Sequence, residues 1–269
     1  MVHVGLVGCG TIGSQVAHAL ERRYRHVARL VALHDVDPAR AHRLAQRLHP
    51  RPAIVSLPML IRKSRVVIET ASPDAARDVV KRALRAHRSV VVMSVGGLLH
   101  DQTWRRLTQR SRGKVYIPSG ALAGLDGIKA LAVGRIQRVL LTTTKPPRAL
   151  AASPYVRAKR IRLDRLTRPL LVFEGSPRQV VKAFPQNTNV AAALTLASGS
   201  LPATKICVRV IADPATRVNV HELEVQGDCG RIRCTIESRP SANPKTSELA
   251  VRSAVATLGR LFGSVMIGT

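Results

Sequence analysis

Apolar positions along the first 118 residues follow two alternating rhythms. Val2, Val4, Leu6 and Val7 make a short run that reads as a buried strand; Ile12, Val16, Ala19 and Leu20 then recur at helical spacing. The same alternation continues. A strand runs from Leu30 to Leu33 and ends in Asp35, and "PARAHRLAQRL" is a helix opened by Pro38. "SRVVIETAS" is a strand and "PDAARDVVKRALRAH" a helix. "SVVVMSVGGLL" is a strand running into glycines, "DQTWRRLTQRSRG" a helix and "KVYIPSG" a fifth strand. Strands alternating with helices of this length predict a parallel sheet covered on both faces.

The rhythm changes after "PSGALAGLDG", which places a domain boundary near residue 119. "RIQRVLLTTTKPP", "LVFEG" and "KICVRVIAD" read as strands. "SPRQVVKAF" is a short helix with Ser176 as its cap and Pro177 in its first turn, and "NTNVAAALTLAS" is an apolar helix. Residues 212 to 237 alternate as a β-hairpin, and a final helix carries Val251, Val255, Leu258 and Phe262 along one face. No internal repeat or low-complexity linker interrupts the chain. The pattern therefore predicts an α/β protein: residues 1–118 as one domain, residues 119–244 as an α+β domain with a mixed or antiparallel sheet, and a terminal helix within 245–269 free to pack back on the first.

Charge adds one question. The formal net charge is +27, and 34 of the 43 basic residues are Arg. A nucleic-acid partner is one reading. The Arg residues are spread from Arg22 to Arg260, however, and seven aromatic residues leave little for base stacking. Nucleic acid is not the expected partner; a field of this sign draws in small anions instead. Cys9, Cys207, Cys229 and Cys234 form no C-x-x-C pair and show no metal-ligand spacing with the His residues, so free thiols in a reducing cytoplasm, and no metal, are expected. The N-terminus has no basic segment before its first strand, and no apolar run reaches membrane-spanning length, so neither a signal peptide nor a membrane anchor is expected.

The chemistry begins at Gly8-x-Gly10-x-x-Gly13, between the first strand and first helix. The first glycine permits a tight turn, the second lets backbone approach a pyrophosphate, and the third lets helix and sheet close together. Thr11 and Ile12 lie at the helix N-terminus, where free N–H groups meet an anion. With Asp35 at the end of the second strand, this is a Rossmann-type cradle for NAD or NADP. Asp35 suits a ribose 2′-hydroxyl and so favours NAD; Arg40 nearby suits a 2′-phosphate, so the choice stays open. Ser94 to Gly97 end the fourth strand, either as a ligand-binding edge or as an ordinary turn.

Asn219 and His221 share one face of their strand with Leu223 and Val225. Polar groups at one end of an apolar face suggest a cavity mouth, and a neutral imidazole there can exchange protons. The alternative is a histidine satisfied by a backbone carbonyl. Lys145, in "TTTKPP", and Arg217 are candidates for holding carboxylates, while Glu222 and Glu224 are expected to face solvent.

The blocks "VGLVGCGTIG", "VVMSVGGL", "YIPSGALAGLDGIKA", "FEGSPRQVVKAFPQNTNVAAALTLA", "ADPATRVNVHELEV" and "ESRPSANPKTSELAVRSA" together resemble the L-aspartate dehydrogenase family over nearly the whole chain. The resemblance implies NAD(P)-dependent oxidation of L-aspartate to iminoaspartate, or the reverse reductive amination, with the imine hydrolysed to oxaloacetate and ammonia or used for NAD biosynthesis. It implies His221 as the active-site histidine and Ala123 and Asn189 as cofactor contacts, with Asn187 as the other register of "NTN". Asn219 and Lys145 are the substrate-binding candidates, and a homodimer is the expected assembly. The rival readings are a dehydrogenase of another amino or imino acid, and a non-catalytic dinucleotide- or nucleic-acid-binding descendant.

Overall fold

The structure, a computed structural model, describes residues 1–99, 101–185, 189–199, 205–241 and 247–268. The chain divides into two compact units, one formed by residues 1–118 with 251–266 and the other by residues 119–250 with 267–269.

The first unit alternates β1 (Val2–Val7), α1 (Thr11–Arg23), β2 (Ala28–His34), α2 (Pro38–Ala45), β3 (Ala53–Ile54), α3 (Leu57–Lys63), β4 (Val66–Glu69), α4 (Pro73–Arg85), β5 (Ser89–Val92), a 3₁₀ turn (Val95–Leu99), α5 (Thr103–Arg110) and β6 (Val115–Tyr116). The strands form a parallel sheet in the order β3-β2-β1-β4-β5-β6, so the strand order reverses between β1 and β4. That reversal is where open α/β sheets bind ligands, outside the carboxyl ends of the strands.

Helix boundaries follow local chemistry. Ser72 Oγ accepts from Ala75 N at the start of α4, and Asp37 accepts from Ala39 N at the start of α2. Each satisfies a donor the helix itself leaves open. Val16, Ala17 and Leu20 of α1 are buried with Val4, Leu6 and Leu33 of the sheet. A strand that the apolar pattern does not reveal, β3, is only two residues long, and α3 behind it follows Pro52 and contains Pro58. The strand of "SVVVMSVGGLL", β5, is shorter than its apolar run. It ends at Val92, and the glycines of "SVGG" turn into the 3₁₀ segment, where a Cβ on Gly97 would lie 2.0 Å from Pro73 O.

The second unit contains α6 (Leu125–Leu131), β7 (Ile136–Lys145), α7 (Pro147–Leu150), α8 (Pro154–Ala158), β8 (Leu170–Gly175), α9 (Pro177–Ala183), α10 (Asn189–Ala197), β9 (Ile206–Ala212), β10 (Asn219–Gly227) and β11 (Arg231–Ser238). Its sheet is mixed, in the order β11-β10-β7-β9-β8, with β7 and β9 parallel and the other pairs antiparallel. Ser176 caps α9 in a reciprocal box with Gln179. The last helix, α11 (Glu248–Phe262), contributes Ala254 and Leu258 to the apolar core of the first unit.

Candidate active site

The glycine turn shows three different local demands. Gly8 has φ +91°, and a Cβ there would lie 2.8 Å from the Thr70–Ala71 backbone, so both conformation and space require glycine. A Cβ on Gly13 would lie 2.1 Å from Gly8 O, so α1 can sit this close only without a side chain. A Cβ on Gly10 would meet nothing within 4 Å; the space beside it is open. Gly10 is also the N-cap of α1, with no side chain capping the helix and no acidic residue in the first turn. Thr11, Ile12 and Gly13 therefore start a 13-residue helix whose first N–H groups are not taken by a capping side chain. This fits a dinucleotide pyrophosphate: turn, open approach, close packing and a positive helix end occur at the required positions.

Asp35 lies beside this turn. Its Oδ2 accepts from Cys9 N at 2.7 Å and its Oδ1 from Asp37 N at 2.9 Å. Each oxygen keeps a second acceptor position, so the carboxylate is oriented by backbone and still able to accept from a ribose. Arg40 pairs with Asp37 at 3.3 Å. Cys9, inside the turn, is pushed up to about 12 by burial and by the Asp35 carboxylate, which keeps it a thiol rather than a nucleophilic thiolate.

The second cluster lies on the inner face of the mixed sheet. That face is apolar at one end, where Val225, Val139 and Ile206 stand in register, followed by Leu223, Leu141 and Val208. The next row is His221, Thr143 and Val210; beyond it lie Asn219 opposite Ser238 and Lys145 opposite Ala212. Asn219, His221, Thr143, Lys145 and Ser238 are all buried. A polar group hidden without a partner costs about 1–3 kcal/mol, whereas an aliphatic side chain at any of these positions would continue the core. Perturbed polar groups gathered at one end of a core face are a site signature.

Thr143 is the residue that sequence reasoning missed. Its Oγ1 lies 3.0 Å from His221 Nδ1 across the β7–β10 pair, so the imidazole is held by a hydroxyl rather than by a backbone carbonyl. Asn219 sits next along the same face and is not the group bonded to Nδ1. Burial, reinforced by the charge of Lys145, lowers the His221 pKa to about 3, so the ring is neutral at ordinary pH. Burial alone brings Lys145 down to about 8. Thr143 and Lys145 line a small, mostly apolar pocket with Leu150, Val180, Phe184 and Val190.

The structure thus brings Gly8, Gly10, Thr11, Ile12, Gly13 and Asp35 together in one unit, and His221, Asn219 and Lys145 together in the other. Ala123 lies in the exposed turn before α6, where its carbonyl accepts a long contact of 3.8 Å from Cys234 Sγ. Asn189 is the exposed first residue of α10; Asn187 lies outside the described residues. Arg217 is exposed in the loop before β10 rather than gathered into the buried cluster. Glu222 is exposed, and Glu224 engages Arg233 on the outer face.

Two stretches of the chain match known protein families. A family model described as aspartate dehydrogenase, C-terminal, matches residues 126–261, and one described as homoserine dehydrogenase, NAD binding domain, matches residues 8–118. The chain is 42% identical over its full length to the full length of an L-aspartate dehydrogenase from Methanosarcina barkeri, and 41% identical, again end to end, to one from Methanosarcina mazei. The chain belongs to the L-aspartate dehydrogenase family. Its fold is also that of the crystal structure of aspartate dehydrogenase from Thermotoga maritima, at a TM-score of 0.74 over all of both chains with 24% identity. Among the described residues, no helix is long and apolar enough to cross a membrane.

Proposed function

We propose that this chain catalyses the reversible NAD(P)-dependent oxidation of L-aspartate to iminoaspartate, which water converts to oxaloacetate and ammonia. Supply of the imine to NAD biosynthesis is part of the same reading. The observation that carries it is the polar end of an otherwise apolar sheet face, built around His221 in a chain of this family.

The cradle of Gly8, Gly10, Thr11, Ile12, Gly13 and Asp35 holds the dinucleotide, with Ala123 and Asn189 as further contacts. A bound nicotinamide would supply the hydride acceptor for this chemistry. The chain's own residues must bind the carboxylates and move protons. His221 is neutral; in the tautomer whose Nδ1–H donates to Thr143 Oγ1, Nε2 carries the free lone pair and takes a proton from the substrate amine or from the water that adds to the imine. Lys145 supplies positive charge for a carboxylate, with Asn219 as a neutral donor beside it. Oxidation removes one hydride and one proton from aspartate; hydrolysis then consumes one water and releases ammonia.

The decisive experiment follows NAD(P)H formation at alkaline pH with a panel of amino acids, and NAD(P)H consumption with oxaloacetate and ammonia. L-aspartate should be the preferred amino acid. Faster turnover of another one, or none with aspartate, would remove the reading.

A homodimer in a reducing cytoplasm completes it. All four cysteines are free thiols. The outer face of the mixed sheet carries Glu174, Glu222, Glu224 and Glu237 against Arg138, Arg209, Arg231 and Arg233, around Leu140, Thr142, Thr144 and Leu171. This face is charge-balanced in a chain of net charge +27, so here two copies can meet without the repulsion their other surfaces impose. Light scattering of the chain and of Leu171→Glu tests it; a wild-type monomer, or an unchanged dimer in the variant, would refute this contact.

A further inference from the structure

Glu69 ends β4, immediately beyond the strand reversal, and its side chain is fully buried. Its Oε1 accepts from Ala71 N at 2.7 Å and from Ser94 Oγ at 2.8 Å, and its Oε2 accepts from Ser94 N at 3.0 Å. The next residue, Thr70, donates through Oγ1 to Gly8 O at 2.7 Å, with Val7 O at 3.1 Å. Two adjacent side chains therefore tie together the turns that follow β1, β4 and β5 at the carboxyl edge of the sheet.

Three donors meet the two oxygens of Glu69, a geometry that accommodates the ionised carboxylate against the pull of burial. Burial raises the pKa of Glu69, while the bonds from Ser94 and Ala71 oppose that rise. Both backbone partners can only donate, and a carboxylate gathering several donors is stabilised in its charged form. The strand order then gives that charge a direction. A dinucleotide divides over the two sides of the reversal; Asp35, on the β2 side, is the partner of the adenosine ribose, so the nicotinamide half falls to the β4–β5 side.

We propose that Glu69 is a positioning residue of the nucleotide site, holding the turns after β4 and β5 in place and setting a fixed negative charge on the nicotinamide side that favours oxidised over reduced cofactor. This rests on the dinucleotide reading above. The oxidised ring carries a positive charge and the reduced ring none, so a buried anion distinguishes the two forms where a purely mechanical clamp does not.

The test measures the Kd values of NAD⁺ and NADH for the full-length chain by calorimetry, repeated with the NADP pair. Glu69→Gln should weaken NAD⁺ more than NADH, shifting the ratio of the two Kd values by about fivefold toward the reduced form. Ser94→Ala keeps the charge and loses one donor; it should weaken both forms alike. Should the Gln variant fail to fold, Glu69→Met removes the charge without introducing a misplaced amide donor, and the same shift is expected. An unchanged ratio in a folded, neutral variant overturns the assignment of Glu69 while leaving the dinucleotide site standing. A wild-type chain that binds neither form overturns both.

Discussion

His221 and Thr143 face each other in the β10–β7 pair, with the threonine Oγ1 3.0 Å from the imidazole Nδ1, both buried on the inner face of the sheet. The hydroxyl fixes which way the ring turns, and so which nitrogen is offered to a substrate. Thr143→Val keeps the shape and deletes the bond. It should lower kcat roughly tenfold with a smaller change in KM, and Thr143→Ser should recover most of the loss. His221→Ala should cost at least about a hundredfold in kcat while NADH binding stays near normal. Steady-state kinetics with parallel NADH titrations decide this; a Thr143→Val enzyme with wild-type kcat would show the hydroxyl to be a packing group.

Burial of the same ring gives the fold an acid-sensitive component. His221 takes up a proton near its ordinary pKa of 6.5 when unfolded, but only near 3 when folded. Between those values the unfolded chain binds more protons, so this contribution to stability is complete above about pH 6.5 and falls as pH drops toward 3. The full difference between the two ends of that range is on the order of 5 kcal/mol. Denaturant unfolding of wild type and His221→Gln at pH 7 and pH 4 should show a shallower pH dependence in the variant. Parallel losses in both proteins would mean that the ring is not held in its neutral form by the fold.

The alternation of strands and helices is legible in the sequence because each apolar run has one dominant period: Val4 and Leu6 bury in a strand, Val16 and Leu20 in a helix. The glycine turn is legible because its function requires missing side chains at fixed spacing. The short elements are not. Two residues of β3 have no period to detect, and in α7 and α8 the helices last four and five residues. Asn219 and His221 stand out because polar side chains interrupt the apolar phase of their own strand. Thr143 does not, since threonine is an ordinary strand residue and the ring it meets lies 78 positions away. Glu69 is hidden for a similar reason: a glutamate after "VVI" reads as the solvent end of a strand, and only the arrangement of Ala71 and Ser94 shows it to be buried.

Lys145 should impose an alkaline limit on substrate capture. Its ammonium loses its proton near pH 8 in the folded chain, below the ordinary 10.5, because it is buried. If the charged form grips a carboxylate, kcat/KM for aspartate falls above about pH 8. Unfolding cannot mimic this. From pH 8 to 10.5 the unfolded chain binds more protons at this site, so the contribution of Lys145 to stability rises over the range where activity falls. Lys145→Met should raise KM for aspartate about tenfold or more and abolish that limb of the profile. A variant with wild-type KM at pH 7 would exclude the lysine from substrate binding.

Gly10 and Gly13 separate binding from folding within one turn. A methyl group on Gly10 meets nothing within 4 Å, and its φ of −78° suits any residue. Gly10→Ala should therefore fold with a Tm within about 3 °C of wild type. The methyl would fill the approach reserved for the pyrophosphate, so NADH affinity should fall at least about tenfold. Gly13→Ala has the opposite character. Its Cβ would press to 2.1 Å from Gly8 O and 2.8 Å from Thr70 Oγ1, and relief requires α1 to move away from the sheet. Overpacking of that kind costs about 1–3 kcal/mol, so this variant should lose several degrees of Tm before any ligand is added. Thermal melts with and without NADH measure both effects. A Gly10→Ala chain that is stabilised by NADH as strongly as wild type would show that the open side of the turn is not where the dinucleotide lies.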